Sequence, residues 1–286
     1  MKNKTPKILI YCFPVLLVLF SLSSFKIDPS LNKTFNSDST TNNKFKIKTV
    51  VVDAGHGGFR TGAYGAFSVE KNVTLQIAFK LQEAIEKELK DVKVIMTRTT
   101  DDDILWQKRS DIANENKGDL FISIHCNSMP DKFVRSASGK RVRVPDQSEK
   151  GVLLLVYGFH RTKEEEKAIM ETRIEDEAEM NSGLDPNDPS SRILMNEYKR
   201  KYRNQSIRMA GLLNNEFVET DGRRSAGIRE QGVLVLCHSA MPAVLVETGF
   251  INNPADEKYL NSEEGQNEIV ASIVRAIQTF KNEVEN

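Results

Sequence analysis

Residues 47–98, IKTVVVDAGHGGFRTGAYGAFSVEKNVTLQIAFKLQEAIEKELKDVKVIMTR, carry the pattern that decides the fold. Their two ends, IKTVVVDA (47–54) and VKVIMTR (92–98), are short apolar runs rich in Val and Ile, as strands are. Between them Val73, Ile77, Leu81, Ile85 and Leu89 recur at i, i+4 spacing, which lines one face of a helix. Further strand-like runs follow: DLFISIHC (119–126), GVLLLVYG (151–158), GVLVLC (232–237) and AVLVETG (243–249). Residues 109–115 and 205–217 read as helices between them, and Ile269, Ile273, Ile277 and Phe280 predict a last helix over 264–282. Strands apolar on both faces and separated by helices must be covered on both sides. The fold class is α/β: a mixed, largely parallel twisted sheet of about six strands with helices on both faces.

Outside this region the sequence is simpler. Lys2, Lys4 and Lys7 precede a 13-residue apolar run, ILIYCFPVLLVLF (8–20), followed by small polar residues. This is the plan of an export signal. The run is shorter than the ~20 residues that span a bilayer, and Pro14 interrupts it. Residues 1–25 therefore predict a signal peptide, with an uncleaved N-terminal anchor as the alternative, the only case in which the chain meets a membrane. Residues 26–46, rich in Ser, Thr and Asn, read as a linker, and 47–286 as one domain.

The 286 residues hold 40 basic and 40 acidic side chains, so no basic excess points to nucleic acid. Three Cys exclude a disulfide-built miniprotein, and Cys126 and Cys237, both in or beside apolar runs, read as buried free thiols. The charge is unevenly spread. Residues 161–203 contain 9 basic and 11 acidic side chains and predict an insertion that begins with a helix near 163–181. Such a run usually forms a solvated face.

Catalytic-type residues fall where strands end. His56 follows the first strand in VVDAGHGG, His125 closes the third in FISIHCNS, and Glu247 closes the last in AVLVETGF. In open α/β sheets, ligands sit outside the carboxyl ends of the strands. Glu70 opens the first helix and can reach back to the same edge. Two imidazoles and a carboxylate make a donor set that suits zinc. Each residue also has a structural reading: Glu70 as a complement to the helix dipole, His125 as a hydrogen-bonded core histidine, Glu247 as a cap of the sheet. The gaps of 14, 55 and 122 residues form no compact motif.

VVDAGHGG, the Glu of SVEKNVTLQIA, TRTTD with KRSDIAN, DLFISIHCNS, and MPAVLVETGFINNP resemble, in this order, the motifs of zinc-dependent N-acetylmuramoyl-L-alanine amidases of the type-3 amidase family. The resemblance covers residue 47 to the C-terminus. It implies that His56, Glu70 and His125 bind one Zn²⁺ per chain and that Glu247 is the catalytic carboxylate. It implies as substrate the amide joining the lactyl group of N-acetylmuramic acid to L-Ala of a peptidoglycan stem peptide. With the export signal it places the chain in the periplasm or cell envelope. Some relatives use an inserted helix to cover the zinc until a partner displaces it, so the 161–203 insertion is either the target of an activator protein or, as its charge favours, a solvated helix lining one side of the substrate groove.

Asn127 and Asn253 match family positions near the site and are candidate substrate-binding residues, although either could be a turn residue. Arg98 and Arg109 are expected to make structural salt bridges or caps, and Glu230 is left outside the catalytic set. Two other functions use the same residues: a zinc peptidase cutting within the stem peptide, and a non-catalytic wall-binding regulator.

Overall fold

Strand β1 (Thr49–Ala54), helix α1 (Glu70–Glu88) and strand β2 (Lys93–Met96) form where the apolar pattern puts them. The computed structural model describes residues 45–158 and 189–286. The export signal, most of the linker and the helix expected at 163–181 lie outside the described residues. Among the described residues no helix is long and apolar enough to cross a membrane.

The chain continues through α2 (Trp106–Glu115), β3 (Leu120–Asn127), the short strands β4 (Lys132–Arg135) and β5 (Arg141–Val144), and β6 (Val152–Tyr157). Helix α3 (Pro189–Asn215) runs into a π-helical turn at Glu216–Thr220, and β7 (Ser225–Gln231), α4 (Leu234–Cys237) and β8 (Ala243–Phe250) follow. Helices α5 (Pro254–Leu260) and α6 (Glu263–Glu285) complete it. The main sheet has the order β2-β1-β3-β8-β6-β7. The first four strands are mutually parallel, and β6 and β7, parallel to each other, run antiparallel to β8. The expected α/β class and mixed, largely parallel sheet are thus what the chain forms.

Side chains alternate across a strand, and two cores result. Val50, Val52, Ile122, Ile124, Val244 and Val246 face α1, α3 and α6 in the larger core. Val51, Phe121 and Leu245 face the smaller one, shared with Ala113 of α2 and Val235 and Leu236 of α4. The predicted stripe of α1 is buried, as is that of α6. Ser262 caps α6 by accepting the Gly265 N–H at 3.0 Å, and Asn253 caps α5.

Two expectations are corrected. Residues 232–237 form no strand; Leu234–Cys237 is a helical turn packed in the smaller core. Six apolar residues without alternation fit a buried helical turn as well as a strand. The sixth strand is instead β7, whose polar sequence SAGIREQ reflects its exposed edge position. The helix expected over 205–217 starts at Pro189, so residues 189–203 of the expected insertion are its first turns. Cys126 and Cys237 are buried free thiols, as expected.

On the smaller-core face, a polar cluster sits one layer beneath the carboxyl edge. Asp53, fully buried, pairs in register with Ser123 and accepts its hydroxyl at 2.6 Å. It also accepts Thr97 Oγ1 at 2.6 Å and Arg109 Nη1 at 2.8 Å. Burial alone would raise the Asp53 pKa, but the Arg109 charge and these hydrogen bonds outweigh it and hold the carboxyl below its ordinary value. Breaking a buried ion pair from one side leaves the other charge uncompensated. Arg109→Ala is therefore expected to destabilise the fold by about 3–5 kcal/mol. Urea unfolding measures it, and a loss below about 1 kcal/mol would show that Asp53 does not need this partner.

Candidate metal centre

The carboxyl edge of the sheet is where the four sequence-nominated residues meet. His125 and Glu247 are register partners in the adjacent parallel strands β3 and β8. Each lies two residues past a side chain on the smaller-core face, Ser123 and Leu245, so both project from that face. His56 follows β1 in the left-handed region (φ 60°), an arrangement that costs a non-glycine residue about 1–3 kcal/mol and must be held by its surroundings.

Two arginines hold it. Arg98 donates through Nε to the Ala54 carbonyl at 2.8 Å and through Nη2 to the Gly55 carbonyl at 2.9 Å. Arg109 donates to the Ala54 and His56 carbonyls. Thr74 Oγ1 adds a second donor to the Gly55 carbonyl at 2.8 Å. Gly55 is required for a steric reason: a Cβ there would lie 2.5 Å from the His125 ring. At Gly57 (φ 130°) a Cβ would meet the Asp102 carbonyl at 2.1 Å.

Glu70, the first residue of α1 and buried, stands between the two histidines. Its Oε1 is 3.2 Å from His56 Nε2 and 3.0 Å from His125 Nδ1, and accepts the Cys126 N–H at 2.9 Å. Its Oε2 accepts the Ala63 N–H at 2.8 Å. The two imidazole rings meet edge to face with centroids 4.9 Å apart. One ligand-type atom from each of His56, Glu70 and His125 lies within 4.8 Å of the others, the one such cluster among the described residues. The His56 side chain is 31% exposed and that of Glu70 4%, so the group opens to solvent on the His56 side.

The electrostatics divide the two carboxylates. Burial raises the Glu70 pKa, but the hydrogen bonds and charges of His125 and His56 prevail and hold it well below the usual carboxylate range. His125 is pushed the other way. Burial disfavours its charged form, but the Glu70 hydrogen bond and the charges of Glu70, Glu247 and Asp53 raise its pKa. Burial also raises Glu247, to about 7, helped by the Glu70 charge and opposed by that of His125. Its Oε2 is buried with no hydrogen-bond partner among the described residues.

These features fit a metal. Two imidazole nitrogens and one carboxylate oxygen, close together and open on one side, are the donor set of an open zinc site. Glu247, with its unpartnered buried oxygen, is the register partner of one of these three residues, His125.

The two asparagines differ. Asn127, two residues past His125, accepts the Ser128 N–H through Oδ1 at 2.8 Å. Asn253 accepts the Ala255 and Asp256 N–H groups and donates to the carbonyls of Gln147 at 2.8 Å and Glu149 at 3.1 Å, so its amide is committed to a helix cap and a loop. Glu230 is exposed and paired with Arg203. One supporting residue was not singled out from sequence: Glu257, whose carboxylate accepts the N–H groups of Ala66, Phe67 and Ser68 and holds the loop before Glu70. Its only sequence signal is a place in the first turn of a helix that begins with Asn253 and Pro254.

An α/β sheet bearing a His-Glu-His cluster and an adjacent carboxylate of raised pKa defines a candidate metal-dependent hydrolase. Residues 50–279 match the family model Amidase_3, N-acetylmuramoyl-L-alanine amidase. The chain is 30% identical over 233 residues to a putative N-acetylmuramoyl-L-alanine amidase of Buchnera aphidicola, covering 81% of this chain and 95% of the relative. It is 29% identical over 234 residues to the amidase AmiC of Escherichia coli, covering 81% of this chain and 52% of AmiC, so it spans about half of that protein. A solved N-acetylmuramoyl-L-alanine amidase of Clostridium difficile shares the fold, with a TM-score of 0.58 at 23% identity over 83% of this chain and 98% of that one. The chain belongs to the Amidase_3 family of N-acetylmuramoyl-L-alanine amidases.

The raised Glu247 pKa has a measurable consequence for the metal-free protein. An acid whose pKa rises on folding, here from 4.5 to about 7, stabilises the fold below pH 4.5, and that contribution is lost as pH rises through 7. Glu247→Gln removes this contribution. In EDTA, urea unfolding should show the variant gaining stability relative to the wild type between pH 5 and pH 8; parallel profiles would contradict the assignment.

Proposed function

We propose that this chain is a zinc-dependent hydrolase of the amide between the lactyl group of N-acetylmuramic acid and L-Ala of the peptidoglycan stem peptide. The observation that carries the reading is Glu247: a carboxylate in register with His125, with an unpartnered buried oxygen, beside a His-Glu-His cluster in an Amidase_3 chain. His56, Glu70 and His125 hold one Zn²⁺. When bound, the metal supplies Lewis acidity, polarising a carbonyl and acidifying water.

The chain's own residues handle position and protons. Glu247 Oε2 takes a proton from the attacking water and delivers it to the departing nitrogen of L-Ala as the amide C–N bond breaks. The water oxygen stays on the lactyl carbonyl carbon, and the stem peptide leaves with a free amino terminus. A buried carboxyl with an unpartnered oxygen suits both halves of this exchange. The Glu70 carboxyl, held ionised, and the two imidazoles would serve as ligands rather than proton carriers. Asn127 leaves its Nδ2 for a substrate carbonyl, whereas Asn253 acts by fixing the loop around it. The apolar N-terminus of the sequence, with its Lys-rich start, supports export and action on the wall in the cell envelope, in turnover or cell separation.

Purified holoprotein incubated with peptidoglycan should release intact stem peptides with free L-Ala amino termini, read by mass spectrometry. Fragments cut inside the stem would make it a peptidase, and no products from zinc-loaded protein would make it a wall-binding regulator. Glu247→Gln should retain about one zinc per chain while its turnover falls by about 10²–10⁴-fold. His125→Ala should lose the metal, by elemental analysis, and with it the activity.

A further inference from the structure

The β4–β5 hairpin lies outside the main sheet and takes no part in the chemistry above. Its residues 132–144, KFVRSASGKRVRV, contain five basic side chains and no acid. The register pairs Lys132 with Val144, Phe133 with Arg143, Val134 with Val142, and Arg135 with Arg141. Directly opposite residues share a face and alternate along the ribbon. Val134, Val142 and Val144 therefore line one face with Lys132, while Phe133, Arg135, Arg141 and Arg143 line the other. Arg143 pairs with Asp131 at 2.6 Å, and the Arg141 guanidinium lies 4.1 Å from the Phe133 ring centroid. Arg135 and Arg141, both exposed, have no acidic partner among the described residues. Like charges directly opposite each other destabilise a ribbon, so this pair is a standing cost that an anion between them would relieve.

The hairpin is also fixed to the catalytic edge. It begins at Lys132, seven residues after His125 and five after the end of β3, and both its feet are held by one side chain. Asn252, five residues past Glu247, donates to the Met129 carbonyl at 2.9 Å and to the Asp146 carbonyl at 3.0 Å. Asn253 holds the next turn through Gln147 and Glu149.

We propose that Arg135 and Arg141, opposite each other on one face of the hairpin, form a docking site for the carboxylates of peptidoglycan stem peptides, holding the wall polymer near the catalytic edge. The proposal rests on the substrate reading above. Guanidinium forks match carboxylates with two parallel hydrogen bonds, and stem peptides carry carboxylates along and at the end of the chain. Charge complementarity selects this occupant: two exposed arginines without an acidic partner among the described residues, on a hairpin that follows the strand bearing His125, in an enzyme whose proposed product is an acidic peptide.

The test reads binding without turnover. Zinc-loaded Glu247→Gln protein and the same protein with Arg135→Gln and Arg141→Gln are sedimented with sacculi freed of phosphodiester polymers, at low and high salt. The double substitution should weaken binding about tenfold at low salt and flatten its salt dependence. Amidating the sacculus carboxylates should weaken the parent to the same degree and leave the doubly substituted protein unchanged. Equal binding by the two proteins on untreated sacculi overturns the proposal, and so does parent binding that requires the phosphodiester polymers. Arg141→Glu, which places an acid opposite Arg135, should raise the melting temperature yet lose the binding; retained binding would also overturn it. Hydrolysis is assayed separately in the unsubstituted enzyme, so failure of the amidase reading would show as absent products, not as lost sedimentation.

Discussion

The site depends on two buried guanidinium groups holding three successive carbonyls. At the end of β1 the chain must leave the sheet, turn through left-handed and glycine conformations, and present His56 beside His125. The turn frees the carbonyls of Ala54, Gly55 and His56 from any ladder, and buried carbonyls without donors are costly. Arg98 and Arg109 supply fixed forks of donors to all three. A lysine could not replace either, since one flexible ammonium cannot hold separated acceptors in a fixed geometry. Asp53 completes the arrangement by compensating a charge that would otherwise be buried alone. It takes hydroxyl hydrogen bonds from Ser123 and Thr97 as well, so the clamp is tied into β3 and the end of β2.

This explains why the metal-centre residues can be so far apart in sequence. The parallel register of β1, β3 and β8 places three strand ends side by side, and α1 returns Glu70 to the same edge. Glu70 then makes contacts to His56, Ala63, and the adjacent β3 residues His125 and Cys126, from three separate places in the chain. Its position is over-determined before any metal arrives, which limits the reorganisation that binding must cost.

Much of this was legible from pattern. The buried stripes of α1 and α6 and five of the strands follow from the apolar pattern, because each buries a set of apolar side chains. The cluster His56, Glu70 and His125, with Glu247 beside it, follows from the rule that chemistry gathers at strand ends. What pattern missed has physical causes. The run 232–237 is buried and apolar whether helical or extended, so composition could not choose. Strand β7 is polar because it is an edge, and edges lack the signal that marks central strands. The basic hairpin carries a weak signal: KFVR does not alternate, RVRV does, and each strand is only four residues long. Arg98 and Arg109 were expected to be structural, yet their partners, backbone carbonyls distant in sequence, leave no trace in residue spacing.

Two carboxyls in one site have their pKa values pushed in opposite directions because their surroundings differ. Glu70 is enclosed by donors: two imidazoles and two backbone N–H groups surround its oxygens, and these outweigh burial to keep it charged. Glu247, in register with the same histidine, has burial without donors, and its neighbour Glu70 adds a repelling charge. One environment suits holding a cation and the other suits carrying a proton, and neither residue could take the other's task without exchanging neighbours. The Glu70 charge adds to the burial that raises Glu247, against the opposing charge of His125, so the clamp that holds His56 beside Glu70 acts on a site in which the two carboxyls are electrostatically linked.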